Sequence, residues 1–88
     1  MNLYDALHAL PADKRLQYAG ADGTTAVIDV DVTTSGILYT VLRARTTNSL
    51  GQPRATSHGY AINARADCRL LEQALRDLGM DPATYRVI

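Results

Sequence analysis

From residue 24 to residue 46 the side chains alternate with period two, and the alternation breaks once, at Ser35 and Gly36. No other feature constrains the fold as tightly. In the first half, Ala26, Ile28, Val30 and Val32 fall on one side, with Thr25, Val27, Asp29, Asp31 and Thr33 on the other. Residues 37–46 repeat the pattern, so two strands joined by a hairpin are expected.

The register of that hairpin follows from the faces. A turn of Ser35 and Gly36 alone would set Ile28 opposite Arg43 and Asp29 opposite Leu42. A loop of Thr34, Ser35 and Gly36, with Gly36 in the left-handed conformation, sets Val32 opposite Leu38 and Ile28 opposite Leu42. A one-residue slip exchanges every side chain between faces, so the register that separates polar from apolar wins. The three-residue loop then places Asp29 and Asp31 on one face with Tyr39, Val41, Arg43 and Arg45.

The flanking segments supply the other layer. Leu3, Tyr4, Leu7 and Leu10 recur at helical spacing behind Asn2, a fitting N-cap, and Pro11 ends that helix. Pro11 could equally open a second helical turn to about Gln17, carrying Leu16 and Tyr18 toward the core. Gly20, Asp22 and Gly23 mark a loop. Residues 47–53 form an exposed connection with Leu50 near its tip. Residues 54–63 read as a third strand, with Thr56, His58, Tyr60 and Ile62 on one face and Ala55, Ser57, Gly59, Ala61 and Asn63 on the other.

A second helix carries the stripe Cys68, Leu71, Ala74, Leu75 and Leu78, with Asp67 at its positive end and Gly79 as its left-handed stop. Tyr85 to Ile88 can add a short edge strand. The expected architecture is a single domain over residues 1–88, an α+β two-layer sandwich. Its order is α-β-β-β-α-β, with a three- to four-stranded, mainly antiparallel sheet and helices on one face. The other face is left to solvent.

Composition narrows the functions. Nine basic and nine acidic residues cancel, so the whole-chain field gives no general attraction for nucleic acid or an anionic membrane. Apolar runs such as 26–28 are far too short to span a bilayer, and the N-terminus lacks a basic segment followed by an apolar one. With one cysteine, Cys68, no internal disulfide forms; a soluble, cytoplasmic protein is expected. Arginine and alanine dominate their classes, which hints at a GC-rich bacterial or phage source.

No P-loop, G-x-G-x-x-G or G-x-S-x-G motif is present, so no cofactor and no catalytic residue is assigned. Asp29 and Asp31 could together hold a hard cation, but further ligands at matching spacing are missing, and pairing with Arg43 and Arg45 is the plainer role. His8 is expected exposed on the first helix and His58 half-buried and hydrogen-bonded; with one cysteine they make no metal set. Cys68 near a helix start could be a reactive thiol if exposed, but its place in the Leu71 and Leu75 stripe marks it as core.

The succession of helix, three strands and helix resembles that of double-stranded RNA binding domains in element order alone. Where those domains carry a lysine-rich phosphate clamp, this chain reads Arg65, Ala66, Asp67, Cys68 and Arg69.

The expectation is therefore a non-enzymatic protein-binding module. Its partner-binding residues are Tyr39, Val41, Arg43, Arg45, Asp29 and Asp31 on the uncovered face, with Leu50 on the loop. A phage or mobile-element inhibitor of the anti-CRISPR kind, occluding a host nucleic-acid-binding complex, is the finer form. In it Asp22, Asp29 and Asp31 imitate phosphates. Homodimerisation through the sheet face or an edge strand is the simplest form. The alternative is nucleic-acid binding by the sheet-face arginines, with Arg54 joining Arg43 and Arg45.

Overall fold

The computed structural model describes residues 2–88. The first helix, α1 (Leu3–Ala9), begins where the Asn2 side chain accepts a 2.8 Å hydrogen bond from the Asp5 N–H, satisfying one of the donors a helix start leaves over. It stops before Pro11. Strand β1 (Leu16–Ala19) follows, then a 3-10 turn (Ala21–Gly23), β2 (Thr25–Val32), β3 (Leu38–Thr47), β4 (Pro53–Ala61), α2 (Arg65–Asp77) and β5 (Arg86–Val87). All five strands form one antiparallel sheet in the order β4-β3-β2-β1-β5. The α+β two-layer reading holds.

The hairpin register is the one the faces demand. Val32 pairs with Leu38 and Ile28 with Leu42. The Thr33 N–H donates to the Ile37 carbonyl at 2.9 Å, closing the loop of Thr34, Ser35 and Gly36, and Gly36 takes φ +85°.

Alternate residues of the sheet then meet the helices. Leu3, Leu7, Cys68, Leu71 and Leu75 pack with Leu16, Tyr18, Ala26, Ile28, Leu42, Ala44 and Ile62 in one buried cluster. Two polar groups are buried with them and both are satisfied: the Tyr18 hydroxyl donates to the Pro82 carbonyl at 2.7 Å, and Thr40 Oγ1 donates to the Asp29 carbonyl. Helix α2 closes with Gly79 at φ +78°. The Met80 N–H returns to the Leu75 carbonyl (3.0 Å) and the Gly79 N–H to that of Arg76 (2.9 Å), which folds Met80 into the core.

Four expectations are corrected. Residues 11–17 do not continue as a helical turn; Leu16 and Tyr18 reach the core from strand β1, which pairs with β2 at Leu16–Ile28 and Tyr18–Ala26. The order is thus α-β-β-β-β-α-β. Val32 lies on the helix side but is 54% exposed, because the hairpin tip reaches beyond the helices. His58 is exposed and makes no hydrogen bond among the described residues, although Ala74, Asp77 and Leu78 at the end of α2 border the same shallow groove. Arg54 pairs with Thr46, an even position, and so shares the helix side with Thr56 and His58 rather than the face of Arg43 and Arg45.

Candidate docking face

The uncovered face is built by the odd-numbered residues of three central strands. Asp29 pairs across with Val41, Asp31 with Tyr39, Val27 with Arg43 and Thr25 with Arg45. Beyond β3, Ser57 lies opposite Arg43 and Ala55 opposite Arg45. Every expected sheet-face residue is brought together here: Tyr39, Val41, Arg43, Arg45, Asp29 and Asp31. Leu50 lies apart, on the loop after β3. It is 80% exposed. Asn48 Oδ1 accepts the N–H groups of Leu50 and Gln52, each at 2.9 Å, so the loop presents Leu50 from an ordered base.

The charges on this face are unevenly engaged. Asp29 stands between two guanidiniums, Arg43 at 3.5 Å and Arg15 at 3.9 Å. Asp31 accepts a 3.3 Å hydrogen bond from the Tyr39 hydroxyl. The Asp31 charge raises the Tyr39 phenol above its ordinary pKa. Arg45 makes no ion pair among the described residues. Arg15, Arg43 and Arg45 border a shallow depression of about 530 Å³ floored by Thr25, Val27, Ala55 and Ser57. One carboxylate, Asp29, answers these three cations, so the depression is net positive although the whole chain is neutral.

Arg15 is the residue sequence reasoning missed. Its signal was the parity it shares with Gln17, which carries meaning only once residues 16–19 are seen as a strand. The other candidates are engaged elsewhere. His8 Nε2 lies 2.7 Å from the Ile62 carbonyl, and its ring packs against Tyr4 at 4.2 Å between centroids. Cys68 is buried, and burial pushes its thiol pKa up, the reverse of an activated nucleophile. Among the described residues no three His, Cys, Asp or Glu side chains come close enough to hold a metal ion, and no helix is long and apolar enough to cross a membrane.

Compared with known protein families, curated proteins and solved structures, the chain matches none.

Proposed function

We propose that this protein is a non-enzymatic binding module that docks a protein partner on its uncovered sheet face. The observation that carries the reading is the division of β3. Thr40, Leu42 and Ala44 are buried under the helices, while Tyr39, Val41, Arg43 and Arg45 remain on the outer side beside the depression. Tyrosine supplies rigid contact area at low entropic cost, arginine supplies directed donors, and small neighbours let a partner approach. The excess of guanidinium over carboxylate favours a partner that presents acidic side chains.

The inhibitor form of this reading assigns Asp22, Asp29 and Asp31 as phosphate mimics. Asp29 is already neutralised by two arginines and Asp31 is bonded by Tyr39, which leaves Asp22 with no partner among the described residues. Docking through the arginines is thus better supported than mimicry through the aspartates. Nucleic-acid binding is the second reading, favoured by the same three arginines at the depression.

The test is capture of a partner from the native host on the immobilised protein, repeated with Tyr39→Ala and Arg43→Glu. Both variants are expected to lose the partner while their melting temperatures stay near that of the parent. Loss of folding would show these residues to be core and end the proposal. For the second reading, affinity for a random-sequence duplex should fall steeply between 50 and 200 mM salt; no binding at low salt removes it.

A further inference from the structure

The two edges of the sheet are unlike. One is β5, two residues long, and so short an edge offers little to pair with. The other is β4, nine residues in regular one-to-one register with β3 from Tyr39–Ala61 to Thr47–Pro53. No bulge interrupts that register, and among the described residues no strand pairs along the outer side of β4. Its first residue is Pro53 and its one arginine or lysine is Arg54.

The ladder shows which groups of β4 face outward. The Ile62 N–H donates to the Leu38 carbonyl and the Asn48 N–H to the Gln52 carbonyl, so even-numbered residues along this line bond to β3. Odd-numbered residues therefore turn their backbone groups away from it. Ala55, Ser57, Gly59 and Ala61 direct N–H and C=O toward the open edge.

We infer that β4 pairs antiparallel with β4 of a second copy, joining two sheets into one of ten strands. Overlap of the whole strand has one solution, in which Ser57 pairs with Ser57 of the second copy, Ala55 with Gly59 and Pro53 with Ala61. In that register Ala55, Ser57 and Gly59 meet as hydrogen-bonded pairs, and at each end the Ala61 N–H reaches the Pro53 carbonyl, while proline has no N–H to return. On the helix side Thr56 comes opposite His58, and Arg54 comes opposite Tyr60 instead of another arginine. No like charges meet, and a guanidinium lies against an aromatic ring. The strand is complementary to itself, which is what a two-fold interface requires. Cross-strand pairs share a face, so the two uncovered faces lie on the same side of the joined sheet.

The test is the mass in solution of the full chain, by light scattering after size exclusion and by sedimentation across a concentration series. The parent is expected at twice 9.5 kDa. Gly59→Pro deletes an N–H that β3 does not use, and proline is tolerated at sheet edges. It should raise the dimer dissociation constant by at least about tenfold. Ser57→Lys, an exposed change, sets two ammoniums opposite each other at the centre and should do the same. Leu70→Lys, at an exposed apolar residue on α2, should leave the dimer intact. A parent that stays monomeric at every concentration overturns the inference. So does a dimer that survives both β4 changes, or one that Leu70→Lys dissolves.

Discussion

Strand β3 has two sides with opposite fates. Thr40, Leu42 and Ala44 lie under the helices with at most 5% of their surface in water; Tyr39, Val41, Arg43 and Arg45, one residue out of phase, lie on the bare side. Backbone and neighbours along the chain are shared, so the difference comes from what stacks above each face. On the covered side the side chains remove apolar area from water and set stability. On the bare side they contribute little to folding and are free to meet a partner.

The largest effect expected from this division is at the covered side. Leu75 is fully buried in the middle of the helix-sheet interface. Leu75→Ala should cost about 2–5 kcal/mol, lost transfer energy plus the cavity left behind, as read by chemical denaturation. Arg45→Ala, on the bare side with no ion pair, should stay within about 0.5 kcal/mol of the parent. Equal losses would mean that the bare face is itself part of the core.

How much of this was legible follows the same division. The hairpin could be read to the residue because Asp29 and Arg43 forbid one register and the apolar set demands the other. Helix α2 was equally plain, from a stripe at helical spacing and a glycine stop. Strand β1 was not. Leu16–Ala19 is four residues long, too short for periods of two and 3.6 to be told apart, and Pro11 before it is as good a helix start as a helix end. What makes it a strand is pairing with β2, a tertiary fact. Missing β1 hid Arg15, and with it the second partner of Asp29. His58 was misjudged for a related reason: parity gives the side of a sheet, but not how closely the covering helix packs at each position.

A medium effect is expected at the one tyrosine that the helices and the C-terminal segment enclose. The Tyr18 hydroxyl donates to the Pro82 carbonyl at 2.7 Å, and Pro82 is buried as well. Burial first, then the neighbouring Tyr85 and Asp81, raise its pKa well above the ordinary tyrosine value. A raised folded-state pKa means stability that is complete below the unfolded value, about 10, and is lost as pH rises through the folded one. Alkaline titration should thus show Tyr18 ionising only as the protein unfolds. Tyr18→Phe should cost about 1–3 kcal/mol at neutral pH, since the carbonyl loses its donor, and should flatten the alkaline decline. Ionisation of Tyr18 in the still-folded protein within the ordinary tyrosine range would contradict its enclosure.

The smallest effect on stability is the most informative about the bare face. Asp29 is held by Arg15 and Arg43, whose side chains are 60% and 57% exposed, so water screens both pairs. Asp29→Asn should cost under about 1 kcal/mol. The core bond from Thr40 goes to the Asp29 backbone carbonyl, and the side-chain change leaves it in place. What does change is the field: three arginines around the depression lose their one carboxylate. If an acidic partner docks there, its affinity should rise in Asp29→Asn and the gain should shrink with added salt. If the aspartate itself imitates a phosphate for the partner, affinity should fall instead. Calorimetric titration of parent and variant with the captured partner, at two salt concentrations, separates the two outcomes by the sign of one number.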